Sequence, residues 1–252
     1  MAVTAGAAVA GVSVGDASLV FAGPGGSKRR EPLDRCWNVR FEHVPPVRSF
    51  PSRPGQRHFP GLWWAATTCD HVGYESWLER DHVMMLDFDP VAVAFSSQPF
   101  RLLLGSPGER MLRHVPDFFA RQRDGSAVVI DVRPDDRVGQ KDAAVFAATA
   151  GVCASVGWSY QRVGALDLVL AANLRWLAGY RHPRCLRSDL AARLAEVFAA
   201  PGPLLPGARA AGDPVAVLPV LFHLLWSGVL AADLAGSRLG ASSVIAVAGG
   251  TS

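Results

Sequence analysis

The chain has 252 residues, half of them hydrophobic and 19% charged, which is enough to bury the core of one large domain or two modest ones. No apolar run approaches the ~20 residues that span a bilayer, so no membrane is expected and the chain reads as a globular cytoplasmic protein. The net charge of +3 permits phosphate binding without demanding it, and 23 of the 25 basic residues are arginine, leaving Lys28 and Lys141 as the lysines.

Residues 1–30 read as a disordered leader, because Met1 to Gly26 is rich in Ala, Gly and Val but lacks the basic start and compact apolar block of a secretion signal. Lys28 to Gly61 is dense in Arg, Pro and aromatic residues, including Arg48, Arg53, Arg57, Phe50 and Phe59, and reads as an extended arm. Such an arm either touches nucleic acid or packs as a solvated loop. Cys36, Cys69, Cys153 and Cys185 are scattered with no CxxC pairing, which fits reduced thiols. A zinc site from Cys69, His71 and His58 would lack the usual ligand spacing.

Tyr74 to Leu86 mixes apolar and charged residues with helical periodicity, and Asp87, Asp89 and Pro90 end it. Val91 to Phe95 and Phe100 to Leu104 follow as short strands, with Gln98 before Pro99 at a strand end. Val115 to Ala120 and Ala127 to Val132 are apolar runs joined through Asp124-Gly125, a strong hairpin signal. Gln140 to Ser155 predicts a helix, Ser159 to Val163 a strand and Leu166 to Tyr180 a helix, completing an α/β core. Pro183 marks a boundary between a domain over 31–183 and one over 184–252. The latter is expected to hold a helix at about Asp189 to Ala199, a Pro/Gly-rich link from Pro201 to Pro214, a helix near Val215 to Leu225 and a small wing.

The chemistry gathers on the hairpin. Asp117 and Asp131 stand seven positions either side of Asp124, so a three-residue loop with Gly125 in the left-handed region sets them face to face, whereas a two-residue loop puts them on opposite faces. Arg133 shares the face of Asp131. Two carboxylates at close range repel unless a cation lies between them, and magnesium, or manganese in its place, is the natural candidate. A metal held so can activate water against a phosphodiester. Glu75 and Glu79, expected on one face of the preceding helix, could each complete the shell. His114 precedes the first aspartate and either touches phosphate or metal or is a hydrogen-bonded structural residue. Trp63, Trp64 and Trp77 are expected in the core rather than as base-stacking platforms.

Glu79, then His114-Val115-Pro116-Asp117-Phe118, then Val129-Ile130-Asp131-Val132-Arg133 resembles the E, PD, (D/E)xK order of restriction-endonuclease-like nucleases. Tyr74-Glu75-Ser76-Trp77-Leu78-Glu79-Arg80-Asp81, Leu86-Asp87-Phe88-Asp89-Pro90, Gln98-Pro99-Phe100 and Val132-Arg133-Pro134 look like the nuclease domain of TnsA-like transposase subunits. The resemblance covers roughly Arg57 to Arg181. It implies a restriction-endonuclease-like core, a mixed sheet flanked by helices, with a small winged-helix-like domain behind it. It also implies a Mg2+-dependent DNA endonuclease cutting the 5′ strands at transposon ends, with a DDE transposase subunit and an AAA-type ATPase as partners.

Carried onto matching positions, the resemblance gives metal ligands at Glu79, Asp117 and Asp131, with Glu75 second to Glu79, and a backbone carbonyl at Val132. The family lysine is replaced here by Arg133, which stays protonated and cannot serve as a general base. Arg133 could still orient water or stabilise phosphate, and Lys141 could supply an ammonium from the next helix or be a solvated residue. The C-terminal domain carries little charge and favours protein contact. The alternatives are a stand-alone restriction or repair nuclease, and an inactive DNA-binding scaffold.

Overall fold

The computed structural model describes residues 17–50, 59–105 and 111–249. They fall into two compact units, the first made of described residues up to 64 with 71–80 and 91–165, the second of 65–70, 81–90 and 166 onward. The division falls after Ala165 rather than at Pro183, and the second unit draws in two short upstream segments.

The first unit opens with β1 (Ala17–Ala22), β2 (Lys28–Pro32) and a short helix α1 (Leu33–Cys36). A hairpin of β3 (Gly61–Ala65) and β4 (Asp70–Tyr74) leads into α2 (Trp77–Phe88), of which Trp77 to Arg80 groups with this unit. Then come β5 (Ala92–Ser97), β6 (Phe100–Leu104), β7 (Leu112–His114), β8 (Phe118–Gln122), β9 (Ala127–Val132), α3 (Gln140–Ser155) and β10 (Ser159–Val163). Two four-stranded sheets result, ordered β2-β1-β6-β7 and β10-β9-β8-β5. The second is mixed: β10 runs parallel to β9, while β8 is antiparallel to both β9 and β5. A parallel pair needs a crossover, and α3 provides it.

Strand β1 and the start of β2, both expected within the leader over residues 1–30, are ordered as a hairpin. Ala17, Leu19 and Phe21 are buried while Ser18, Val20 and Ala22 face outward, the period of two of a half-buried strand. Small residues dilute that alternation in the sequence, and the hydrogen-bonding partner that makes it a strand is β6, far along the chain. Residues 1–16 lie outside the described residues. The expected arm is likewise tied down. Phe41 sits in a short 3-10 turn and is fully buried, its ring edge-on to Phe21, Phe100, Phe119 and Trp158 at centroid distances of 5.2, 4.9, 5.7 and 5.7 Å. These rings come from elements of both sheets, so one aromatic core carries the unit. Arg53 and Arg57 of the arm lie outside the described residues.

The second unit contains α4 (Leu168–Leu177), α5 (Ser188–Val197), β11 (Gly202–Pro203), α6 (Leu204–Ala211), α7 (Pro214–Trp226), β12 (Leu230–Ala231) and β13 (Val244–Val247). Asp167 caps α4 by accepting from the Val169 and Leu170 amides. The three short strands pair antiparallel in the order β11-β13-β12. The stretch expected as a Pro/Gly-rich link holds helix α6. Pro206 lies in its first turn, where a missing N–H costs nothing, and a Cβ added at Gly207 would stand 2.3 Å from the Phe198 ring. Close packing, not a loop, requires that glycine. Asn173 braces the segment before β13, donating to the carbonyls of Leu234 and Ser237 and accepting from the Leu239 amide. Among the described residues no single helix is long and apolar enough to cross a membrane.

Candidate functional site

The β8–β9 turn settles the geometry that the spacing left open. Gln122 donates to the Ser126 carbonyl at 2.9 Å, Gly125 donates to the Gln122 carbonyl at 3.0 Å, and Gly125 has φ +87°. The loop is therefore the three-residue Arg123-Asp124-Gly125, with the left-handed glycine such loops require. In the resulting register Phe118 opposes Ile130, and one step further out Asp117 opposes Asp131.

Asp117 lies just before β8, where the ladder ends. Its Oδ2 accepts from the Val132 amide at 2.7 Å, taking the place of a backbone carbonyl, while its own carbonyl accepts from the Gln98 amide at 2.9 Å. Asp131, only 3% exposed, has its Oδ2 held by two groups: the Tyr160 hydroxyl donates to it at 2.7 Å, and His114 Nε2 lies at 2.7 Å. Tyr160 is positioned by the parallel pairing of β10 with β9, which sets it against Val129, two residues from Asp131 and on the same face. Burial, and next the charge of Asp131, raise its hydroxyl pKa.

Glu75, Glu79, Asp117, Asp131, Val132 and Arg133 all line one cleft of about 620 Å³. Glu79 lies on α2, as expected, in the first turn because the helix starts at Trp77 rather than Tyr74. Glu75 is not on that helix: it follows the end of β4, and the turn into α2 carries it to the same cleft. Ser76 and Glu79 form a cap in which the Glu79 amide donates to Ser76 Oγ, the Ser76 hydroxyl donates to Glu79 Oε1, and the Glu75 amide donates to Glu79 Oε2 at 2.7 Å. Glu75 Oε2 accepts from Arg48 at 2.7 Å, whereas its Oε1 is buried without a hydrogen-bond partner.

Negative charge is crowded here. Burial, then the charge of Glu79, lifts the Asp117 carboxyl well above the ordinary carboxylate range; Asp131 and Glu75 push the same way and the Val132 amide opposes. Burial likewise raises Glu79, against the Glu75 amide and the Ser76 hydroxyl. The oxygen-rich donor set suits a hard divalent cation such as magnesium or manganese, and it supplies the charge that such a cation would relieve. As placed, no three His, Cys, Asp or Glu side chains among the described residues close into a ready ligand shell. Among the described residues, hydrogen bonds reach only the Oδ2 atoms of Asp117 and Asp131, but both Glu79 oxygens serve the helix cap. Each Glu79 oxygen accepts one of these bonds and keeps a second lone pair, so Glu79 can serve the cap and still offer an oxygen to a cation.

Arg133 projects into the cleft and is tied to Asp142 Oδ2 at 3.3 Å and to the Arg137 carbonyl at 3.4 Å. Lys141 is exposed at the start of α3 and does not line the cleft. Gln98, at a left-handed φ of +47°, is buried and accepts from Arg48 Nε at 2.9 Å. Trp77, expected in the core, is 50% exposed, with the Arg80 guanidinium 4.3 Å over its ring; Trp63 and Trp64 are half-buried. Of the zinc trio, His58 lies outside the described residues. The sequence reading missed Tyr160 and the role of Arg48. A tyrosine in a short strand carries no special signal until the strand's register is known, and Arg48 is one arginine among many in the arm. No protein-family model matches this chain, and no curated protein matches it.

Proposed function

We propose that the chain is a magnesium-dependent DNA endonuclease of restriction-endonuclease-like type, the TnsA-like subunit that cuts the 5′ strands at transposon ends within a heteromeric transposase. One observation carries the reading: Asp117 and Asp131 stand opposite each other at the open end of a hairpin, in the same cleft as Glu79. Helix α2, the β8–β9 hairpin, crossover α3 and parallel β10 build a mixed sheet with flanking helices, which is compatible with the core the resemblance implies. From α5 onward, the second unit's order of helix, strand, two helices and two strands is compatible with a winged helix, and supports a partner-binding role toward an AAA-type ATPase or the DDE transposase.

Glu79, Asp117, Asp131 and the Val132 carbonyl would hold the metal. When bound, magnesium supplies positive charge against the phosphodiester and lowers the pKa of a water. The chain's own residues do the positioning. His114 and Tyr160 fix the Asp131 carboxylate through Oδ2 and leave Oδ1 without a hydrogen-bond donor among the described residues. Arg133 stays protonated, so it neutralises or orients phosphate and does not take a proton.

The test is nicking of a supercoiled plasmid carrying transposon ends, with transposase, ATPase and magnesium or manganese present. Asp117→Ala and Asp131→Ala are each expected to abolish 5′-strand cutting. Unchanged cutting by Asp117→Ala overturns the assignment. A second reading, an inactive DNA-binding scaffold, is favoured by Arg133 standing where the family has lysine and being tied to Asp142. Wild-type protein that supports transposition without nicking in either metal would establish it.

A further inference from the structure

The outer face of the sheet β2-β1-β6-β7 collects four cations. Its register sets Val20 between Arg30 and Arg101, Ala22 opposite Lys28, and Leu103 between Ser18 and Arg113. Residues opposite one another across a ladder share a face, so Lys28, Arg30, Arg101 and Arg113 all project away from the core-facing Leu19, Phe21, Leu102 and Leu104. Among the described residues none of the four has a carboxylate partner, and the Arg30 guanidinium donates only to Ser18 Oγ at 3.2 Å. The single acid in these strands, Glu31, lies on the opposite face beside Arg29. Elsewhere in the same unit Arg48, Arg121, Arg133 and Arg162 each sit on a carboxylate. Two shallow depressions, of about 270 and 120 Å³, share Val20 and Arg101. Arg113 lines both the larger depression and the acidic cleft.

We propose that this sheet face is a second nucleic-acid site, gripping the sugar-phosphate backbone of duplex DNA that continues from the cleft. Backbone binding follows from these cations alone, while the choice of duplex DNA rests on the nuclease reading of the cleft. Guanidinium groups bind phosphate through paired N–H donors, and three of the four are arginine. Three interstrand steps span about 14 Å, close to the axial rise of four nucleotides of one strand. The apolar side chains on the face are recessed, Val20 half-buried and Leu103 buried, so it has little to insert into a bilayer or a protein groove.

The test uses the full chain, a short fluorescein-labelled duplex and a chelator to prevent cutting, with anisotropy followed across a salt series. The combined Lys28→Gln, Arg30→Gln and Arg101→Gln variant is expected to lose at least about tenfold in affinity and to flatten the salt slope by about 2–3, at roughly 0.9 per phosphate contact. Lys28→Glu with Arg30→Glu, confined to the exposed edge strand, repeats the loss, and unchanged thermal midpoints show that both variants fold. Arg193→Gln, in the second unit, leaves affinity and slope unchanged. A wild-type slope in the combined variant overturns the proposal. So does tighter binding of single-stranded RNA or of phosphatidylserine vesicles than of the duplex. Asp117→Ala separates the two ideas: if it still cuts while the combined variant loses binding, the cleft reading fails and the sheet-face site stands.

Discussion

The acidic cleft and the outer face of sheet β2-β1-β6-β7 belong to one unit and share Arg113 at their margin, but carboxylates crowd the first and cations the second. In the cleft, burial and neighbouring carboxylates hold Asp117 well above its ordinary range, while Arg48 pairs with Glu75. On the sheet face the cations have no carboxylate partner among the described residues, yet they remain solvated, so their mutual repulsion is screened. Buried charge of one sign is costly and is relieved by a small counterion, whereas exposed charge of the other sign costs little and suits a long polyanion. On the proposed reading, the cleft would take the metal and the sheet face the nucleic acid.

The largest effect should come from breaking what the two surfaces share. Phe41→Ala removes the ring against which four others pack and should cost about 3–5 kcal/mol in urea denaturation, with cleft and sheet face lost in one transition. If the surfaces melted separately, they would not rest on one core. Next, Tyr160→Phe removes one of the two groups holding Asp131 Oδ2, at a cost of about 1.5–3 kcal/mol for a hydrogen bond to a charged acceptor. Manganese affinity, followed by electron paramagnetic resonance, should fall about 10–100-fold, while duplex binding in chelator stays unchanged.

Asp117→Asn sharpens the electrostatic contrast, because the amide oxygen can still accept from the Val132 N–H. The folded chain keeps the Asp117 proton to higher pH than the unfolded chain does, so metal-free stability falls as pH rises from the ordinary carboxylate value near ~4 through the raised folded value. The substitution should therefore raise the thermal midpoint at neutral pH, by about 2–4 °C for each kcal/mol relieved, and give no gain near pH ~4. Added magnesium should stabilise the wild type more than this variant. The smallest effect belongs to Glu31→Gln, which loses an exposed 3.6 Å pair with Arg29 and should change stability by less than about 1 kcal/mol without altering the salt slope of duplex binding.

Local signals were legible and long-range ones were not. Helix α3 and strand β10 coincide with the predicted segments, because 16 residues of helical composition and a bounded five-residue strand carry their patterns within themselves. The hairpin followed from Asp124-Gly125. By contrast, β1 read as a leader, Glu75 was placed on a helix that begins two residues after it, and α6 was hidden by Pro206 and Gly207. In each case the deciding partner lies elsewhere in the chain: β6 for β1, the Ser76 cap for the start of α2, and Phe198 for Gly207.

By itself the sequence determined that two aspartates would flank a turn seven residues from each, since turn chemistry and a strand period of two act within a few residues. Only the tertiary structure decided that the loop holds three residues, that Tyr160 and His114 clasp Asp131, and that Arg48 reaches Glu75. Those pairings join positions distant in the chain, where packing and register, rather than local preference, choose the neighbour.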